Sequence, residues 1–475
     1  MGYLHFLDDW GLISYANLER RLGEPRYVPE ATLEDELTEG TWNFPSVVRE
    51  PETGRYIGFY GGAVSPEFLQ RLNAKRGARG YIRTQILCRA ESADGIHWEK
   101  PDYREQLKLS GPVFAPNQVY SLHQPKLGSE EYRLSGMPVY YDPYDPDPQR
   151  RYKYYLSGAF AGLHIRGPQS MAVSPDGIHW ELAHVFKDLP AVDTPSSVFY
   201  NPLEQAYIIN CRRDPGDRRI FFRKTKDWIH FDPPRLIMHP EPEDPPLVGF
   251  YGMPVVRYEN IFIGLLWLIY NDPTRHALPN GPIECALTYS YDGWNFNRLF
   301  HRPFIRRNEL GEHGGGCIYT GCMLVDENHQ IRFYSGGSKA EHFQNQDLAD
   351  AALMLHTLRL DGFAYYATHA GRGRMRTRPF IITGDDLRVN VRVPYGEIRA
   401  QILDERGQVL PGFSFADCQP FTGDELFWRP RWSEGRTFGA ARDNQRRQLE
   451  FEINTGEIYA LRGDFEMLNS LWKQD

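Results

Sequence analysis

Five carboxylates of this 475-residue chain, Asp193, Asp214, Asp272, Glu312 and Glu341, stand in segments where two of them can meet one substrate. A pair of carboxyl groups divides the work of bond cleavage when one is protonated and assists the leaving oxygen while the other is ionised and acts as nucleophile or as base for water. Asp193 and Glu312 are the expected pair, because each leads into an innermost strand in the reading developed below. His313, followed by Gly314-Gly315-Gly316, is a further candidate for acid or base. No HxxH or HExxH spacing occurs, so neither a catalytic metal nor a cofactor is expected. Cys88, Cys211, Cys285, Cys317, Cys322 and Cys418 form no CxxC pair and fall mostly inside strand-like runs, which reads as buried thiols.

The elements that must position these groups are announced by a repeated turn, first seen as Ser92-Ala93-Asp94-Gly95-Ile96-His97-Trp98. Asp94, Asp176, Asp227, Asp292 and Asp361 each have an aromatic residue four positions on, and Gly follows the Asp in four of the five. Ser92, Ser174, Thr225 and Ser290 stand two residues before the first four, where a hydroxyl reaches nearby backbone N–H groups. Each turn follows an apolar or mixed run (TQILCRAES, QSMAVS, RRIFFRKT, IECALTYS, AALMLHTLRL), and the intervals hold further strand-like runs such as YIGFYGG, YKYYLSG, AYIINCRR and IFIGLLWLIY. Four strands per repeat and five repeats predict an all-β chain built on a five-bladed β-propeller over residues 41–370. After it, strict alternation in DLRVNVRV, EIRAQILDE, QLEFEIN and EIYALR predicts a β-sandwich over 371–475, while residues 1–40 are left unassigned.

Loop lengths orient the propeller. Connections between first and second strands are short, whereas long segments join second to third strands (64–82, 271–282, 338–349) or one blade to the next (101–134, 232–249, 299–316). Those two sets open on one face, where a site on a rigid scaffold is expected. A short helix is expected in the blade-one insertion, at EFLQRLNAKRG. Asp8 and Asp9 read as turn or edge residues, and Arg372, Arg374, Arg376 and Arg378 as a solvated edge strand.

Composition narrows the partners. A net charge of −8 gives no global basic surface, so nucleic acid and membrane are poor partners, and a neutral substrate fits better. No apolar run is long enough to span a bilayer, and the first residues show no basic leader with an apolar segment, so a cytoplasmic location is expected. A homo-oligomer is compatible with all of this.

Five blades carrying SxDGxHW turns, followed by a β-sandwich, resemble over residues 40–475 the superfamily of five-bladed glycoside hydrolases that includes invertases, inulinases, levanases and arabinanases. That resemblance implies three acids at the mouth, a nucleophile or base on blade one, a stabiliser on blade two and a general acid on blade three. At the first position the chain has Trp42-Asn43-Phe44-Pro45-Ser46, with no carboxylate, and at the second Ser135-Gly136-Met137. Asp193-Thr194-Pro195 matches the third in kind. Arg213-Asp214-Pro215 and Glu284-Cys285 repeat family motifs literally but in strands where the family does not carry them. The resemblance implies a carbohydrate substrate, with Trp42 and Tyr251 stacking on a sugar face, Asn43 and Arg213 bonding hydroxyls, and His164, Arg166 and Asp214 on mouth loops.

The expectation is therefore a glycosidase or transglycosylase, exo-acting, using two carboxyl groups on a small oligosaccharide. Two alternatives stay open: a carbohydrate-binding propeller without catalysis, favoured by the absent blade-one acid, and a lyase in which His, Tyr and Arg abstract a proton beside a uronic carboxylate.

Overall fold

The computed structural model describes residues 2–34, 45–63, 85–109, 113, 115–121, 138–156, 159–161, 164–166, 169–186, 189, 193–212, 218–271, 274, 281–342 and 351–468. Among them every extended element is a β-strand, the few helical turns are short 3-10 turns, and no helix is long and apolar enough to cross a membrane. The helix expected in the blade-one insertion lies outside the described residues. The chain divides into two compact units, one of Pro25–Leu324 with Arg332–Thr357, the other of Met1–Glu24, Val325–Ile331 and Leu358–Asp475. The second unit thus begins before residue 371 and takes in the first 24 residues as well.

The first unit is the propeller. Blade one pairs Ser46–Arg49, Tyr56–Ala63 and Gln85–Ser92, and its outer position holds both Trp98–Glu99 and Gln118–Ser121. Blade two runs Tyr140–Tyr141, Tyr152–Leu156, Gln169–Ser174, Glu181–Phe186. Blade three runs Asp193–Asn201, Ala206–Arg212, Ile220–Thr225, Arg235–Met238. In blade four, Val248–Gly252 and Val255–Tyr258 share the second strand Ile261–Tyr270, which pairs with Ile283–Ser290. Blade five is Cys317–Val325, Gln330–Ser338 and Ala351–Arg359. Its fourth position is filled from the other end of the chain: Arg26–Tyr27 and Leu33–Glu34 pair with Ala351–Arg359. Part of the unassigned N-terminal stretch is therefore the outer strand of the last blade.

Both faces of each blade are apolar, and neighbouring blades bury them. Phe59 and Ile57 of blade one pack with Tyr152 and Tyr154 of blade two. Tyr155 and Met171 meet Tyr207 and Trp228 of blade three. Phe199 and Phe222 meet Phe262 and Phe296 of blade four. Trp267 of blade four donates its indole N–H to the Thr320 carbonyl of blade five at 3.0 Å. The ring closes where Tyr334, Leu353 and Leu355 pack on Tyr56, Tyr60 and Ile86, and the Tyr334 hydroxyl donates to the Gly95 carbonyl at 3.0 Å.

The repeated turn has one construction in blades one to four. The Ser or Thr oxygen accepts the N–H three residues on at 2.9 Å, and one Asp oxygen accepts two successive amides at 2.8–2.9 Å. The other Asp oxygen holds the ring of His97, His179 or His230 at 2.7 Å, or the Asn295 amide at 2.6 Å. The residue after the Asp has positive φ, which explains Gly95, Gly177 and Gly293, yet in blade three that residue is Trp228, at φ 62°. Trp228 is 2 % exposed, packed on Tyr140 and Tyr207, so burial offsets the conformational cost. The fifth turn is different. Asp361 lies in the second unit, where it accepts from Arg462 and Asn390, and among the described residues blade five has no turn of this kind.

In the second unit Gly2–His5, Leu12–Ala16, Glu19–Leu22, Ala364–Thr377, Phe380–Asp404, Phe421–Trp428 and Arg446–Met467 form one hydrogen-bonded sheet. Phe380–Asp404 and Arg446–Met467 pair along their length, from Asp404 with Arg447 to Phe380 with Met467. Phe380 also pairs with Arg447, so the ribbon doubles over, and Phe6, Val389, Trp432 and Phe451 fill the interior. Ala364–Thr377 is paired on both sides, which corrects the edge-strand expectation for its arginines. Arg372 and Arg374 bind Glu452, Arg376 binds Gln448, and Arg378 lies over Trp10.

Two outcomes test the fold. Trp228→Ala is expected to destabilise by about 3–5 kcal/mol in denaturant unfolding, the range for a buried aromatic. For Asp94 and Asp227, burial works to raise the carboxyl, and the amide and ring hydrogen bonds of the turn outweigh it, holding both well below the usual range. Because the folded values are depressed, this stabilisation is present above the unfolded value near pH ~4 and fades as pH falls through the folded values. Asp94→Ala should therefore lower the melting temperature at pH 7 and have less effect at pH 3 and below.

Candidate active site

The starts of the inner strands and the connections between second and third strands open on one face, the mouth. Three blades bring described side chains together there. Ala206–Arg212 is buried along its whole length, which fixes Arg212 at its end, opposite Asp193 in the pairing register. Beyond the connecting segment, the Arg218 carbonyl accepts the Phe250 N–H at 2.8 Å. Gly249 makes that approach possible, since a Cβ there would lie 2.6 Å from the Arg218 Cβ. The guanidinium carbons of Arg212 and Arg218 consequently lie over one ring, that of Tyr251 on blade four, at 4.4 and 4.7 Å from its centroid.

Blade five supplies the rest. The connection after Gln330–Ser338 lies across the start of the inner strand, where a Cβ on Gly316 would be 2.1 Å from the Ala340 carbonyl carbon. The glycine run thus serves a backbone-on-backbone contact that seats Glu341 and His342. The His342 amide donates to the Gly281 carbonyl at 3.1 Å, its ring meets Tyr251 edge-on at 4.7 Å, and its Nδ1 lies 3.1 Å from the Tyr319 hydroxyl. Trp267 packs beneath, with Tyr319 at 5.5 Å. Glu341 is 8 % exposed, a buried carboxylate at the mouth. Burial pushes the neighbouring Cys317 thiol up to about 12, so it is no nucleophile at neutral pH.

The residues expected from sequence divide accordingly. Trp42, Asn43, Arg213, Asp214 and Asp272 lie outside the described residues. Asp193 is the first residue of the blade-three inner strand. His164 and Arg166 sit on a small ribbon, His164–Arg166 paired with Ala159–Ala161, between the second and third strands of blade two. Glu312 is an exposed turn residue whose amide donates to the Glu309 carbonyl. The His313 Nε2 lies 2.6 Å from a Glu34 carboxylate oxygen, and Glu34 is on the outermost strand of blade five, so this ring is held toward the blade's outer edge. Tyr251 is 8 % exposed and offers little ring surface for sugar stacking; it carries the two arginines instead. Glu284 accepts the Arg307 amide at 3.2 Å within the third strand of blade four. Arg212, Arg218, Tyr319 and His342 were not singled out from sequence. The one available signal for His342 was its place beside Glu341 on a long mouth connection.

Gly316→Ala should push the Ala340–Glu341 segment off the inner strand and cost about 1–3 kcal/mol, the usual range for overpacking, read as a lowered melting temperature.

No known protein family matches the chain, and no curated protein matches it. Solved structures are similar to it at low identity. An N-acetylgalactosamine deacetylase from F. plautii is 15% identical, with 72% of this chain and 96% of that chain covered and a TM-score of 0.45. A glycosyl hydrolase from Bacteroides ovatus is 14% identical, with 74% and 95% covered and a TM-score of 0.44. An alpha-L-arabinofuranosidase from Podospora anserina is 13% identical, with 70% and 97% covered and a TM-score of 0.42.

Proposed function

We propose that this chain cleaves an O-glycosyl bond of a small oligosaccharide at the propeller mouth, with two carboxyl groups in the acid and the nucleophile or base roles. The observation that supports the reading is the buried carboxylate Glu341 at the mouth, next in the chain to His342, whose ring meets Tyr251. Asp193 starts the inner strand of blade three and Glu341 belongs to blade five, so the two flank blade four. Glu341 is preferred to Glu312 as the second carboxyl because it is buried on a mouth connection, whereas Glu312 is an exposed turn residue. Cleavage from a chain end is part of the proposal, and it predicts monosaccharide release from oligosaccharides.

A second reading is favoured by one contact, the Tyr319 hydroxyl against His342 Nδ1 beside the two arginines. In a lyase these groups would remove the proton next to a uronic carboxylate as the neighbouring C–O bond breaks. The product would be an unsaturated sugar that absorbs in the ultraviolet.

Turnover of aryl glycosides and of fructo- and arabino-oligosaccharides tests the first reading. Asp193→Asn and Glu341→Gln are each expected to lower kcat by at least about 100-fold with little change in melting temperature, the low end for general acid–base assistance. Glu312→Gln is expected to leave kcat within a few-fold. The reverse pattern would return the second role to Glu312. Sugar binding without turnover of any substrate would favour a non-catalytic binding propeller.

A further inference from the structure

Each repeated turn lies on the face opposite the mouth, beside the outer part of the preceding blade, and these junctions differ. Between blades two and three, Phe231 packs edge-on against Phe186 at 5.3 Å. Between blades five and one, Lys100 donates to the Glu34 carbonyl at 2.9 Å. Between blades three and four a cleft of about 330 Å³ remains, but its cations are engaged. Lys224 lies 2.9 Å from Glu204 and 3.6 Å from Asp232, and the Arg235 guanidinium lies over the Trp294 ring.

The junction of blades one and two is built differently. A cleft of about 630 Å³ opens there, within the range of roughly 300–1,000 Å³ usual for small-molecule sites. Its floor is Leu107, Val119, Ile178 and Trp180, all packed into the core that the two blades share. The indole of Trp180 is fixed in place, with Phe59, Tyr120 and Tyr154 at 6.1–6.2 Å and its Nε1 donating to the Gly177 carbonyl at 3.0 Å. Leu107 is fixed through its amide, which donates to the Tyr103 carbonyl at 2.9 Å. The rim is polar and exposed, with Gln106 and Lys108 beside the outer edge of blade one and Gln149 and Glu181 from blade two. Among the described residues none of these four side chains has a hydrogen-bond or ion-pair partner, whereas the neighbouring His179 is held by Asp176 at 2.7 Å. Two amides that both donate and accept, one ammonium that donates and one carboxylate that accepts make a mixed rim whose charges cancel. A pyranose ring fits that arrangement, with its C–H face on the indole and its hydroxyls at the rim. An ionic ligand of either sign would meet one like charge.

We infer that the cleft between blades one and two binds a neutral saccharide, as a second sugar site on the face opposite the mouth. The ligand class follows from the cleft's own side chains and does not depend on cleavage at the mouth. Where the substrate is part of a longer glycan, holding it here raises its effective concentration near the mouth without any new contact there.

Fluorescently labelled full chain is applied to an array of neutral and acidic glycans. Those bound are titrated calorimetrically into wild type, Trp180→Leu, the double variant Gln149→Ala/Glu181→Ala and the mouth variant Asp193→Asn, each checked for an unchanged melting temperature. At least one neutral glycan is expected to bind wild type and Asp193→Asn alike and to lose at least about 10-fold in affinity in the double variant, as for the loss of two hydrogen bonds. Trp180→Leu is expected to lose as much; should it melt early, the double variant, whose two residues are exposed, decides alone. No neutral glycan bound, acidic glycans bound in preference, or affinity untouched in the double variant overturns the inference. Turnover of aryl glycosides, which need only the mouth, is expected to stay within a few-fold of wild type in the double variant. Glycan binding at the cleft with no turnover of any substrate upholds the second site while it counts against the proposed cleavage.

Discussion

A four-stranded sheet with two apolar faces is unstable unless both faces are covered, and the propeller unit is the consequence of meeting that demand with copies of the same sheet. Blades one to three are completed by outer strands that follow in sequence, and the third strand of blade four is met by isolated bridges from Asn297 and Ile305. Blade five is completed by Arg26–Tyr27 and Leu33–Glu34, so the ring depends on a pairing between residues more than 300 positions apart in sequence. Only with that pairing does blade five present a finished sheet whose inner face can carry Tyr334 and Leu353 onto Tyr56 and Tyr60. The mouth inherits its rigidity from this closure, because blades three, four and five each contribute to it.

Much of the fold was legible because the turns are local chemistry. A hydroxyl, a carboxylate and a residue of positive φ within four positions determine the hairpin irrespective of what lies elsewhere, and Asp94, Asp176 and Asp292 could be read for that reason. Asp227 was read correctly from its Thr and aromatic partners although Trp228 replaces glycine. Asp361 shows the limit. Its Asp-Gly and aromatic spacing matched, but Asp361 and the partner its carboxylate serves, Arg462, 101 positions away, both belong to the second unit. The outer strand of blade five escaped because two-residue strands carry no periodicity to detect.

The candidate site was legible by face and not by residue. Loop length located the mouth and placed Asp193 and Glu341 on it. What sequence does not display is register: that Arg212 and Arg218 lie over one ring follows from strand pairing and from the close approach at Gly249. Arg213, in a motif-like triplet, lies outside the described residues, and Arg212 and Arg218 are the pair found over Tyr251. Of the glycines that follow His313, Gly316 makes room for the chain's own backbone.

The ring's closure also orders events in time. A ribosome releases residues 26–34 first and the strand they join, Ala351–Arg359, more than 300 residues later. Throughout that interval the early segment has no partner, and the growing stack of blades has two uncovered ends. Its shortness and charge then have a purpose: Arg26, Glu30 and Glu34 keep it a poor template for the wrong sheet edge until the right one is made.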